Sequence, residues 1–241
     1  MIDLVDKVAV ITGAGSGLGE ATASAFAAAA AKVVCIDVKA DAAESVAKQI
    51  RENSGKAIGV SADVSDPTQI GDAIDKTLKE FGRLDFLVNN AGIDYTLPIT
   101  ELTVEQWDKV MAVNLRAPFL LSKAAFQLMK NQGGGHIVNI SSTAGKRAWA
   151  NAAAYHASKW GLIGFTRALG VEGRPFNIRA SLIVPGGMRT PFFDRLEVKP
   201  DPNNLQPPEN VANTIVYVVS MPTETAIQEI IITPLTETSW P

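Results

Sequence analysis

The chain predicts an α/β fold: one domain with a doubly wound parallel sheet of about seven strands and helices on both faces. Three observations carry that expectation. Short, nearly continuous apolar runs recur along the sequence, helix-forming stretches with their own start signals separate them, and a glycine-rich turn follows the first run directly. Runs apolar on both faces suit a parallel sheet covered by helices. Residues 7–12, 32–37, 56–61, 84–89, 136–141 and 178–184 are such runs, and a last strand falls near 227–233. Of the helices between them, one opens at Asp66-Pro67-Thr68-Gln69 with proline at its first position, and another at the capping box Thr103-Val104-Glu105-Gln106. Long helices are expected at 103–130 and 152–172, and a further one at 208–220. The alanine run 27–31 is read as packing, because alanine favours helix and lets helix and sheet approach closely. No linker or fixed-period repeat divides the chain, so residues 1–241 are taken as one domain. Residues 186–207, rich in proline and asparagine, lack a clear element and are taken as a substrate lid.

Composition narrows the function classes. The 241 residues are 46% hydrophobic and 20% charged with a net charge of −3, which gives no reason to expect a nucleic-acid or membrane-surface partner. A single cysteine, Cys35, forbids an intrachain disulfide, and with two histidines the chain cannot make a Cys/His zinc site, so no metal is expected. The start carries acids where a signal peptide would carry lysines, and no run approaches a membrane span. A soluble, cytoplasmic protein is therefore expected.

The turn Thr12-Gly13-Ala14-Gly15-Ser16-Gly17-Leu18-Gly19 departs from the literal Gly-x-Gly-x-x-Gly pattern, since Leu18 stands at its last glycine. The chemistry survives the departure. Glycines let the backbone turn off the first strand and approach a pyrophosphate, while a helix starting near Gly17 offers free N–H groups and a positive dipole end. Asp37 closes the second strand about twenty residues beyond the turn, where a carboxylate can accept hydrogen bonds from both adenosine ribose hydroxyls. It would also repel a 2′-phosphate: unit charges about 4 Å apart interact by roughly 4 kcal/mol at an effective dielectric near 20. NAD is expected over NADP, although Lys39 could reach a phosphate.

With these residues the chain resembles the classical short-chain dehydrogenase/reductase (SDR) family, a Rossmann-type fold. The resemblance spans residues 7–190 and rests on the 12–19 loop, Asp63-Val64, Asn89-Asn90-Ala91-Gly92, Asn114, Ser142, Tyr155 with Lys159, and Pro185-Gly186 with Thr190. It implies a cofactor held by Gly13, Ser16, Gly17, Leu18, Gly19, Asp37, Asp63, Val64, Asn90, Tyr155, Lys159, Pro185, Gly186, Met188 and Thr190. Asp63 and Val64 would lie beside the adenine, Asn90 at the ribose, and the Met188 main chain with Thr190 near the nicotinamide amide. It also implies hydride transfer between NAD(H) and a small ketone or secondary alcohol, of the carbonyl reductase or alcohol dehydrogenase type. A homotetramer built through the two long helices, or at least an oligomer, follows from the same resemblance.

The catalytic candidates are Asn114, Ser142, Tyr155 and Lys159. Tyr155 and Lys159 are four apart in a helical stretch and so share one face. Alone, they would read as a surface pair. A tyrosine must shed about three pKa units, roughly 4 kcal/mol, to act as a base near neutral pH. One ammonium in bulk water supplies only about 1 kcal/mol at 4 Å, so a desolvated site or a second cation is needed, and oxidised nicotinamide is such a cation. Ser142 would hydrogen-bond the substrate oxygen; its other reading is a strand-end hydroxyl capping a turn. Pro118 cannot donate to the carbonyl of Asn114, which frees that oxygen to hold a water. In the family this asparagine marks a helix kink whose water links the lysine to solvent, so Asn114 is the candidate relay post; a plain structural kink is the alternative.

His156 should point about 100° from Tyr155 on the helix and is assigned to packing or an interface. Met188, Phe192 and Phe193 suggest an apolar pocket wall. Three departures from the family stand out: Ala30 where a glycine usually ends the first helix, Ser181 in place of an asparagine that supports the active-site loops, and a tail from Ile231 to Pro241 without the usual glycines. The rival function is a catalytically silent NAD(P)-binding sensor or scaffold. Reduction of a carbon–carbon double bond would call for a longer tyrosine-to-lysine spacing.

Overall fold

The computed structural model describes residues 3–194 and 199–237. Seven strands, β1 (Val8–Thr12), β2 (Lys32–Asp37), β3 (Lys56–Ser61), β4 (Phe86–Asn89), β5 (Gly135–Ile140), β6 (Ile178–Pro185) and β7 (Glu229–Ile232), form one sheet in the order β3-β2-β1-β4-β5-β6-β7. Every neighbouring pair is parallel. The helices are α1 (Gly17–Ala28), α2 (Ala40–Glu52), α3 (Pro67–Phe81), α4 (Val104–Met111), α5 (Ala117–Gln132), α6 (Ala153–Gly173) and α7 (Pro208–Val219).

Alternation along each strand explains the apolar runs. In β1, Ala9 and Ile11 face a core shared with α1, α2 and α7, around Phe26, Ile50 and Ile215. Val8 and Val10 face the opposite core, shared with α3, α5 and α6, around Ile70, Leu121 and Leu169. Both faces of the central strands are dry, so both are mainly apolar, and the polar exceptions such as Asn89, His136 and Asn139 are hydrogen-bonded. The strand order reverses between β1 and β4, and in such sheets the crevice beyond the carboxyl ends at that switch point is where ligands bind.

The start signals act as expected. The Asp66 carboxylate accepts from the N–H groups of Thr68 and Gln69, and Thr103 with Gln106 closes a reciprocal capping box. Three expectations are modified. Ala30 does take the left-handed conformation at φ +66°, and Ala31 N–H donates to Phe26 O at 3.1 Å, so α1 ends with the closure that glycine normally provides. The helix expected over 103–130 is two helices joined by a π-helical turn at Ala112–Arg116 that contains Asn114, with Ala117 N–H donating to Ala112 O. Pro118, missing its N–H just beyond, breaks the ordinary ladder there. The stretch 186–207 holds two 3-10 turns, Pro191–Phe193 and Pro202–Asn204, and Met188 pairs with Gln206; residues 195–198 of it lie outside the described residues.

Candidate active site

One cleft of about 810 Å³ runs along the carboxyl ends of the strands. Fourteen of the fifteen expected cofactor residues line it: Gly13, Ser16, Gly17, Leu18, Asp37, Asp63, Val64, Asn90, Tyr155, Lys159, Pro185, Gly186, Met188 and Thr190, as does Ser142. Gly19 and Asn114 do not line it. Gly19 is required one layer below, since a Cβ there would lie 2.0 Å from the Gly13 carbonyl oxygen. Gly13 and Gly17 have φ of +62° and +56°, conformations that favour glycine.

The glycine loop makes a bed of donors. Ser16 precedes α1 in extended conformation and its side chain does not cap the helix, which leaves the first N–H groups of α1 for an outside acceptor. Gly15 brings the loop against Asp37, whose Oδ2 accepts Gly15 N–H at 3.0 Å while Oδ1 accepts Lys39 N–H at 3.0 Å. Those two bonds fix the carboxylate at the end of β2. The residues present therefore suit a dinucleotide: unpaired helix-end donors for a pyrophosphate, and a held carboxylate for a ribose.

At one end of the cleft Asp63 accepts from Ser65 Oγ at 2.6 Å and pairs with Lys109 Nζ at 3.0 Å. The Ser65 hydroxyl, then its backbone N–H and Lys109, hold this carboxylate below the usual range. Asn90 spends its side-chain amide on the backbone, donating to Thr12 O at 2.9 Å. Its N–H donates to Thr12 Oγ1. Asn90 thus ties the end of β4 to the glycine loop.

At the other end α6 presents Tyr155 and Lys159 together. Lys159 is 4% exposed; its Nζ donates to Ile140 O at 2.9 Å and sits 5.5 Å from the Tyr155 ring centre. Burial pulls its pKa down to about 8. Ser142 Oγ accepts Ala144 N–H at 3.1 Å, the capping contact considered from the sequence, and its hydroxyl hydrogen remains available to a substrate oxygen. Asn114 is buried behind this group: Oδ1 accepts Ile93 N–H at 2.9 Å, and Nδ2 donates to Ile93 O at 2.8 Å and to Ser158 Oγ at 3.1 Å.

The wall was only partly legible. Ile93, Trp149, Phe192 and Phe193 line the cleft, whereas Trp160 is exposed on the outer face of α6. Phe192 rests 5.7 Å from the Tyr155 ring. His156 is buried, as packing would require, yet it also holds the wall: Nδ1 faces Ala144 O at 2.8 Å and Nε2 accepts Trp149 N–H at 3.1 Å. Ser181 joins His136 Nε2 at 2.7 Å and donates to Ile227 O, bonds that tie β6 to β5 and to the segment before β7 and do not reach the cleft loops. Lys109, Arg147 and Glu237 also line the cleft and were not foreseen, because they reach it from α4, a loop and the C-terminal segment.

A family model described as short chain dehydrogenase matches residues 7–200. An uncharacterized oxidoreductase from Thermotoga maritima is 42% identical over 201 residues, 83% of this chain and 79% of that protein. Levodione reductase from Leifsonia aquatica is 38% identical, covering 83% of this chain and 76% of its own. A metagenomic short-chain oxidoreductase solved in complex with NADP superposes with a TM-score of 0.85 at 33% identity, covering 96% of this chain and 98% of that one. The chain belongs to the short-chain dehydrogenase/reductase family, whose members are oxidoreductases that bind a nicotinamide cofactor.

Proposed function

We propose that the protein is an NAD(H)-dependent oxidoreductase that interconverts a small ketone and its secondary alcohol. The observation that carries this is the buried Lys159 ammonium held 5.5 Å from the ring of Tyr155 in a cleft that also contains the glycine loop. A bound nicotinamide supplies or accepts the hydride. Tyr155 moves the proton, giving it to the carbonyl oxygen in reduction and taking it from the alcohol in oxidation. Lys159 favours the phenolate by its charge in a dry setting. Ser142 donates to the substrate oxygen and fixes its position. Asn114 stands behind Lys159 as the relay post.

Asp37 supports NAD over NADP by repulsion of a 2′-phosphate, although a relative of similar fold was solved with NADP. The name of the levodione reductase relative is in keeping with carbonyl reduction. The described parts of 186–207 act as the lid, with Phe192 and Met188 as apolar wall, over a single catalytic domain. The exposed Trp107, Phe119 and Trp160 on α4, α5 and α6 support association into a tetramer through these helices. Light scattering at micromolar concentration should give a tetramer mass; a monomer would remove that part of the reading.

The deciding experiment follows NADH consumption over a panel of ketones, with Tyr155→Phe alongside. Turnover that falls at least about 10²-fold in the variant is expected, since a positioned proton donor contributes roughly 10²–10⁴-fold. A variant that keeps more than about a tenth of the rate would overturn the assignment.

A further inference from the structure

The substrate end of the cleft is mostly apolar, yet two charged side chains outside the proton-transfer group enter its wall. Arg147 comes from the loop after the Thr143–Gly145 turn, and Glu237 from the segment beyond β7. They meet loosely: Arg147 Nη2 lies 3.5 Å from Glu237 Oε1, longer than the 2.7–2.9 Å of a well-formed charge-assisted bond. Arg147 Nε is buried and has no hydrogen-bond partner among the described residues. The side chain as a whole is 26% exposed, but a buried N–H donor such as this one is costly unless something accepts from it. Its neighbour Lys146 faces the other way, onto Glu229 at 2.5 Å. The guanidinium carbon stands 5.5 Å from the Trp149 ring, and His156 accepts the Trp149 N–H, so the group that carries Arg147 is held in place.

We propose that Arg147 is the substrate-anchoring residue of this cleft and that the substrate carries a carboxylate, which takes the place of the Glu237 carboxylate on the guanidinium. This deepens the oxidoreductase reading and rests on it for the word substrate: the carbonyl compound is an oxo acid and its alcohol a hydroxy acid. A planar guanidinium suits a carboxylate because its donors can pair with both oxygens at once. Glu237 suits the part of a displaceable partner. It lies past the last strand, in a short turn closed by its own N–H to Pro234 O at 3.0 Å. Arg147 is a positioning residue here and takes no part in proton transfer.

The test is calorimetric and independent of turnover. Benzoate and benzamide are titrated into the full-length wild-type protein, Arg147→Met, Arg147→Lys and Glu237→Gln. Benzoate is expected to bind wild type at least tenfold more tightly than benzamide. Arg147→Met should lose that preference while retaining benzamide affinity within threefold, which also reports that the cleft is intact. Arg147→Lys should keep part of it, and Glu237→Gln should tighten benzoate alone. Equal affinity for acid and amide in wild type, a parallel loss of both in Arg147→Met, or no gain in Glu237→Gln would each overturn the proposal. The first would mean no anion site, and the second a latch that merely holds the C-terminal segment. Failure of the Tyr155→Phe test would instead remove the reaction and leave these titrations standing.

Discussion

In the proposed function Asp37 carries the choice of cofactor, and its two oxygens are already oriented by Gly15 and Lys39 N–H groups. Replacing the charge while keeping an acceptor isolates the repulsion. Asp37→Asn is expected to tighten NADPH at least tenfold relative to NADH, read as the ratio of their dissociation constants by fluorescence titration; an unchanged ratio would mean that the charge does not discriminate. Lys159 shows the limit of sequence at this scale. Its spacing from Tyr155 is visible in the chain, but the burial that pulls its pKa to about 8 comes from the assembled fold, and the Ile140 carbonyl that accepts its hydrogen bond comes from β5. His156 is the opposite case. Helical geometry points it away from Tyr155, and only the fold reveals that it fastens Trp149 in the cleft wall.

Helix ends were legible because their chemistry is local. Asp66 and Thr103 cap α3 and α4 as their spacing implies, and glycines close α3 and α5 in left-handed conformation, at Gly82 and Gly133. Ala30 closes α1 the same way without being glycine, at φ +66°. A left-handed alanine costs about 1–2 kcal/mol, and glycine returns about 0.5–1 of that as chain entropy. Ala30→Gly should therefore stabilise the fold by roughly 0.5–1 kcal/mol, seen as a higher midpoint in urea with an unchanged slope. A lower midpoint would show that the methyl group packs usefully. The π-helical turn at Ala112–Arg116 was foreseen only as a kink, since Pro118 shows where the ladder fails and not how the backbone rewinds.

Across the whole molecule, burial sets the response to acid. His136, on β5, is fully buried beside Ser181 of β6, and burial, with the nearby Arg179 charge, pulls its pKa down to about 3. Below about pH 6.5 the unfolded chain takes up a proton that the native chain does not, so stability falls with falling pH through the window from 6.5 toward 3. From pH 6.5 to 5 this one group should remove about 1.6 kcal/mol. His136→Gln, which can still donate to Ser181, should show a visibly shallower loss over that interval in urea titrations; an identical slope would place the acid sensitivity elsewhere. Cys35 belongs to the same dry interior. Burial, then the Glu44 charge, pushes its thiol up to about 12 and leaves it unreactive.

The alternation of apolar runs and capped helices settled the architecture from sequence, because a sheet covered on both faces has no place for polar strands. The glycine loop, Asp37 and the four-residue step from Tyr155 to Lys159 likewise marked the two ends of the cleft, since their chemistry is short-range. Tertiary structure alone brought in Lys109, Arg147 and Glu237, the last two 90 residues apart in the chain. It also decided that Asn114 and Gly19 stand behind the cleft wall and not in it. Residues that meet only when the chain closes leave no spacing along it, and burial, which sets their charge, belongs to the assembled fold.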